Sequence, residues 1–140
     1  MADEDSMNGA CHCGTVRLRV KLSQGGLGSP RRCNCSYCRM RGAVVVSASA
    51  DDLEVVSGAE ALALYQFNTG VAEHHFCSRC GIYTHHRRRS NPNQYGVNAA
   101  ILEGVSPFDF AEIPVTDGVN HPSDGRSDGI VGTLRFVPSR

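Results

Sequence analysis

Tryptophan is absent from this 140-residue sequence, aromatic residues make up only 6%, and the net formal charge is zero. Each shortage removes a class of function. Few aromatics leave few anchors for a large core or for a base-stacking platform. With 14 basic residues against 14 acidic ones, no bulk field draws the chain to nucleic acid or to an anionic membrane surface. Long apolar runs are missing too. No stretch approaches the length that spans a bilayer, and the acidic start Met1-Ala2-Asp3-Glu4-Asp5 leads into no apolar segment of the signal-peptide kind. The expectation is a cytoplasmic protein with neither a membrane nor a nucleic acid as partner. No Ser/His/Asp arrangement and no paired carboxylates stand out, so the common hydrolytic machineries find no support.

What the sequence does have is cysteine, seven in all. In a reducing compartment disulfides are poor candidates, and an odd count cannot all pair. Metal binding is the better reading. The thiols fall into three clusters: Cys11 and Cys13, then Cys33, Cys35 and Cys38, then Cys77 and Cys80. A zinc tetrahedron is most simply built from two pairs, each on a tight turn. The first and last clusters match in kind, since each ends in a glycine and runs into a strand (Cys13-Gly14-Thr15-Val16 and Cys80-Gly81-Ile82-Tyr83). A glycine there suits a turn needing positive φ where the backbone approaches a metal. Cys11, Cys13, Cys77 and Cys80 are therefore assigned to a closed structural site. Cys33, Cys35 and Cys38 remain, with Cys33 two residues back from a Cys-x-x-Cys turn, on one face of an extended segment. On spacing alone two readings of this triad stand level. Either it keeps an open vertex, or a histidine completes it, with His12, His74, His75, His85 and His86 available.

The rest of the chain reads as short strands between turns. Residues 1 to 8 are expected to be a loose tail and residues 9 to 140 a single domain. Val16, Leu18, Val20 and Leu22 alternate with polar residues, the pattern of a half-buried strand. Gly25, Gly26 and Gly28 mark a hairpin connection; the lysine and Ser/Thr of a phosphate loop are absent. Val44-Val45-Val46 suggests a buried strand, Ala50-Asp51-Asp52-Leu53 a brief helical turn, and Leu53 to Val56 another strand. Further strands are expected around residues 64–67, 72–76, 82–86, 95–100 and 133–137. With no sustained helical periodicity, the fold class is all-β.

At this point the clusters resemble a known family, the glutathione-dependent formaldehyde-activating enzymes, which share a domain with centromere protein V. The residues that carry the likeness are Gly9-Ala10-Cys11-His12-Cys13-Gly14-Thr15-Val16, Cys33-Asn34-Cys35-Ser36-Tyr37-Cys38-Arg39 and Phe76-Cys77-Ser78-Arg79-Cys80-Gly81. Tyr65-Gln66-Phe67-Asn68-Thr69-Gly70 and Tyr95-Gly96-Val97-Asn98 add to it. The resemblance spans roughly residues 9 to 104 and takes in all seven cysteines in order. It implies a small, zinc-held, β-tent-like fold of short antiparallel sheets with two zinc ions per chain, occupancy of the second being left open. It implies that the outer pairs are structural and that Cys33, Cys35 and Cys38 hold the catalytic ion with room for a substrate thiol. The reaction implied joins formaldehyde and glutathione to S-hydroxymethylglutathione, a carbon–sulfur lyase in reverse, or forms a related thiol–aldehyde adduct. The alternative is a zinc-stabilised binding module without turnover, as the link to centromere protein V allows. A third reading is a thiol redox sensor in which oxidation of the triad ejects the metal.

Independently of the name, a coordinating thiol is deprotonated by its metal, and the thiolate is the nucleophile. Three thiolates over-neutralise a divalent ion, however, and leave it a weaker Lewis acid than a histidine-ligated one. Arg87-Arg88-Arg89 reads first as a solvated basic strand end and second as a grip for glutathione carboxylates. His74 and His75 alternate on a strand, so one is expected to face inward towards Cys77, as a partner to a metal thiolate or as a plain core imidazole. Asp117, near Gly118 and Asn120, looks like turn chemistry.

Overall fold

The computed structural model describes residues 6–23, 25–67, 70–88, 91–119 and 129–139. The described residues run through ten strands and one short α-helix: β1 (Ser6–Ala10), β2 (Arg17–Ser23), β3 (Arg32–Cys33), α1 (Ser36–Arg41), β4 (Val45–Ser57), β5 (Leu62–Tyr65), β6 (Glu73–Cys77), β7 (Tyr83–Arg87), β8 (Gln94–Asn98), β9 (Glu112–Thr116) and β10 (Ile130–Arg135). Seven strands form one antiparallel sheet in the order β1-β2-β4-β8-β7-β6-β5, and β10-β9-β3 form a second. The all-β expectation holds. One pair departs from it in sense, because β3 runs parallel to β9, with Arg32 opposite Val115 and Cys33 opposite Thr116.

Period-two patterning places the core. In β2, Leu18 and Val20 face inward while Arg17 is exposed. They pack with Val46 and Ala48 of β4, with Val97 of β8, and with Ala99 and Leu102 just beyond it. A smaller cluster of Cys11, Val16, Ala61 and Cys77 forms where the chain's start meets β6. Two thiols are thus built into a core, not hung on a surface. Gly58 ends β4 at φ 79°, with its backbone against the Thr15 carbonyl where a Cβ would collide. Only glycine accepts both constraints, and the contact locks the end of β4 beside the Cys11–Cys13 turn.

Three details correct the expectations. Residues 6 to 8 are strand, not tail, because Ser6, Met7 and Asn8 pair with Lys21, Val20 and Arg19. Residues 50–53 are not a helical turn. They lie in the continuous strand β4, which bulges between Ala48, paired with Leu22, and Leu53, paired with Val20. The acidic pair Asp51-Asp52 mimics a helix start locally, but the apolar residues on either side are captured by the same neighbouring strand. Strand β9 lies where no strand was expected; Ile113 gives it a buried foothold.

Candidate metal centre

Two turns of the same construction hold the outer thiols. In the first, the Cys11 N–H donates to the Val16 carbonyl at 3.0 Å and the Gly14 N–H to the Cys11 carbonyl at 3.0 Å. In the second, the Cys77 N–H donates to the Ile82 carbonyl at 3.0 Å and the Gly81 N–H to the Cys77 carbonyl at 2.7 Å. Gly14 and Gly81 sit at φ 79° and 80°, the left-handed conformation expected of them. Backbone amides point at the sulfurs: Val16 N–H to Cys11 Sγ at 3.3 Å and Arg79 N–H to Cys77 Sγ at 3.4 Å. The four sulfurs of Cys11, Cys13, Cys77 and Cys80 all lie within 4.8 Å of one another. Cys13 Sγ is 3.6 Å from Cys11 Sγ and 3.8 Å from Cys77 Sγ. A tetrahedral zinc with Zn–S bonds of about 2.3 Å needs sulfurs about 3.8 Å apart, so this donor set fits the ion. The Thr15 hydroxyl, 3.1 Å from Cys13 Sγ, is the main cause that brings that thiol down to about 6.

The middle cluster is built differently. Cys33 ends β3, Cys35 caps the N-terminus of α1, and Cys38 lies in that helix's first turn. The Cys-x-x-Cys segment therefore opens a helix: Cys33 and the cap Cys35 (φ −61°, ψ 163°) sit on extended backbone, and Cys38 is helical. The run is too short for a helical period to show, and the cap is a thiol in place of the usual hydroxyl or carboxylate. Cys35 N–H donates to Cys33 Sγ at 3.4 Å, and Cys38 N–H to Cys35 Sγ at 3.3 Å. The three sulfurs lie within 4.8 Å of one another. Hydrogen bonds from Cys33 and Cys38 hold the Cys35 thiol far below its ordinary value, whereas the contact with Cys35 pushes Cys33 up, and those with Cys33 and then Cys35 push Cys38 up. None of the described histidines joins either group of sulfurs. All seven cysteines are unpaired thiols.

Around the triad lie residues that the spacing did not single out. Asn34 reaches across to the loop after β9, where its Oδ1 accepts from Gly118 N–H at 2.7 Å and Val119 N–H at 3.2 Å. Gly118 presses so close that a Cβ on it would collide with Cys33 Sγ and come within 2.8 Å of Cys35 Cβ. The turn chemistry expected near Asp117 is present, with Asp117 Oδ1 accepting from Val119 N–H at 3.1 Å. Its consequence is a glycine wall for the triad. Asn120 lies outside the described residues.

Arg41, three residues after Cys38 in the helix, points back at it, with Nη2 3.4 Å from Cys38 Sγ. Its Nη1 lies 3.0 Å from His74 Nδ1, and its guanidinium sits 3.7 Å over the Tyr83 ring and 5.0 Å from that of Tyr37. His74 is the inward-facing member of its pair, as alternation requires, but it serves Arg41 and the triad, not Cys77. Burial first, and Arg41 second, lower His74 to about 4, so the ring is neutral and its Nδ1 accepts from Arg41. Tyr37, Phe67 and His86 stack around His74 at 4.6, 5.7 and 5.1 Å. Arg87 is held by Glu73 at 3.3 Å and the Pro92 carbonyl at 3.0 Å, and Arg88 by Gln94 at 2.8 Å. Both arginines of the basic run are engaged within the fold, not presented as a free grip; Arg89 lies outside the described residues. A groove of about 710 Å³ runs along α1, lined by Tyr37, Met40, Arg41, Ile82, Tyr83 and Pro107 among others.

Two groups of convergent thiols that could each hold a metal ion, one closed by four sulfurs and one with three, are the features against which known proteins can be compared. A provisionally named glutathione-dependent formaldehyde-activating enzyme of Halomonas elongata is 42% identical over 88 residues, 53% of this chain and 51% of that protein. The chain thus matches about half the length of that relative. A crystal structure of a Rhodobacter sphaeroides protein superposes with a TM-score of 0.76 at 59% identity, covering 79% of this chain and all of that one. Residues 6–112, which include every cysteine, match the family described as glutathione-dependent formaldehyde-activating enzyme, and to that family the chain belongs.

Proposed function

We propose that the protein is a zinc-dependent carbon–sulfur lyase-type enzyme that joins formaldehyde to glutathione as S-hydroxymethylglutathione, or makes a closely related thiol–aldehyde adduct. The observation that carries this reading is the triad, three convergent sulfurs without a fourth protein ligand among the described residues. In this reading Cys11, Cys13, Cys77 and Cys80 hold a structural zinc, and Cys33, Cys35 and Cys38 hold a second one. A zinc ion at the triad supplies, when bound, a lowered pKa for an incoming thiol beside an aldehyde.

The chain's own residues do the rest. Cys33, Cys35 and Cys38 converge their sulfurs within 4.8 Å of one another, with the Cys35 and Cys38 amides donating to those of Cys33 and Cys35. Gly118 leaves no side chain between the loop after β9 and Cys33. The groove beside Tyr37 and Arg41 falls within the roughly 300–1,000 Å³ range of small-molecule sites, which supports room for a tripeptide thiol. In the addition, the sulfur forms a bond to the aldehyde carbon, the C=O π pair moves to oxygen, and the thiol's proton ends on the new hydroxyl. Holding both partners together converts a bimolecular step into a local one, which is where such a site gains rate.

Seven unpaired thiols need a reducing compartment, and we place the working protein in the cytosol on that ground. Among the described residues no helix is long and apolar enough to cross a membrane. The test is exchange NMR of a formaldehyde–glutathione equilibrium, with and without zinc-loaded protein. Faster interconversion that is lost in Cys35→Ser supports the reading; an unchanged exchange rate at stoichiometric zinc sinks it.

A further inference from the structure

Arg41 is a guanidinium cation drawn against the triad without an acid to match it. Arg41 contacts Cys38 Sγ, His74 Nδ1 and the Tyr83 ring. Among the described residues it has no carboxylate partner, whereas Arg19, Arg87 and Arg135 each have one. Burying a cation without a counter-charge is costly, so such groups occur where an anion offsets them. The group within its reach that can carry that charge is the Cys38 sulfur.

That arrangement answers the weakness of an all-thiolate site. A divalent ion with three thiolates carries one surplus negative charge, and a fourth thiolate would make the surplus two. The Arg41 guanidinium at Cys38 offsets part of that surplus, so a fourth thiolate is less costly beside it than beside an uncharged side chain. We infer that Arg41 is a specificity-determining residue that makes the triad take an anionic thiolate, in preference to a neutral ligand, as its fourth partner. Arg41 does so through Cys38, by donating to its sulfur and weakening it as a donor. His74 is the positioning residue behind it. A guanidinium can only donate, so His74 Nδ1 must accept, and this holds the fork of Arg41 against Cys38. The rings of Tyr83 and Tyr37 cover the guanidinium and shield it from water, so its charge is felt more strongly at the sulfurs than it would be in solvent.

This inference rests on the triad holding a metal, and the experiment separates the two. Cobalt(II) replaces zinc in the whole protein, and the sulfur-to-cobalt charge-transfer band is followed while 2-mercaptoethanol or imidazole is added. The probe thiol has no carboxylate, so it reports the thiolate charge and not a grip on glutathione's ends. Wild type is expected to bind two cobalt ions and to take the thiol with a rise in the band. Arg41→Met is expected to bind the thiol about tenfold or more weaker, with imidazole affinity unchanged or higher. Arg41→Lys, which keeps the charge, should stay near wild type, and Arg41→Gln, which keeps a donor without it, should follow Arg41→Met. The latter pair decides the matter if Arg41→Met does not fold. Two cobalt ions with equal thiol affinity in wild type and the uncharged variants overturns the role of Arg41 alone. A single cobalt ion per wild-type chain overturns the triad reading and this inference together.

Discussion

The two cysteine clusters set the same donor atom in different surroundings. The four-thiol site joins two near-identical β turns, one from the start of the chain and one from its middle, and half of its thiols belong to a hydrophobic cluster. The triad instead assembles a strand end, a helix cap and a helix turn, and its surroundings are a guanidinium, aromatic rings and a bare glycine backbone. One cluster has four sulfurs, two of them buried in packing and that of Cys13 at an exposed position. The other stops at three and has the guanidinium of Arg41 against one of them. The difference teaches that a sulfur count is only half of what distinguishes two thiol clusters; the other half is whether the sulfurs are neighboured by methyl groups or by a guanidinium.

The largest effect that would break this comparison comes from the closed site. Cys11→Ser or Cys77→Ser removes a buried ligand, and structural zinc in small motifs contributes about 10–16 kcal/mol, as much as a whole domain's stability of about 5–15 kcal/mol. Loss of the folded circular-dichroism spectrum and of both metals is expected. A variant that stays folded with one zinc would show that the two sites are energetically alike. Next comes Cys35→Ser, for which the zinc count should fall from about two to about one while the thermal transition stays cooperative. Loss of the fold there would erase the distinction from the other side.

Gly118→Ala sharpens it further. A methyl group at that position must displace Cys33 Sγ, and a weakening of triad metal affinity by about 10–100-fold is expected, as for other residues that orient a ligand from outside. Competition with a chromophoric chelator measures it, and the tightly held metal of the four-thiol site should not change.

The smallest effect concerns the acid limb of stability. Burial, with His75 second, lowers His85 from 6.5 to about 3; its Nδ1 lies 2.9 Å from the Thr84 hydroxyl and its ring is 4.6 Å from that of His75. A histidine whose folded value is depressed binds its proton in the unfolded chain first. It therefore withdraws stability as pH falls below about 6.5, and the loss continues to about 3. Urea titrations of wild type and His85→Asn should show a stability gap that is widest near pH 7–8 and narrows towards pH 4. A gap that does not vary with pH would remove His85 from the account of acid sensitivity.

Much of this molecule was legible in the order of its residues. Repetition of one local device, a thiol turn closed by glycine and followed by an apolar strand, identified Cys11, Cys13, Cys77 and Cys80 as partners although the two pairs are more than sixty positions apart. Alternation of Leu18 and Val20 with charged residues identified β2, and the same reasoning foretold that one of the two adjacent histidines turns inward. These are short-range regularities, and short-range sterics alone decide them.

Other features answer to contacts that no local pattern encodes. Whether residues 50–53 coil or extend depends on what β2 offers them. Arg41 had a faint signal, three residues beyond Cys38, but its contact required knowing that the segment is helical. Gly118 had none, because its partner Cys33 is 85 positions away in the chain. The triad shows both levels at once. Sequence determined that three thiols would be left over once the matching pairs had found each other, since pairing follows from turn chemistry. Tertiary structure decided what surrounds them, since the surroundings of a site are groups brought together by folding: His74 meets Arg41, and Gly118 meets Cys33, only when the sheets close.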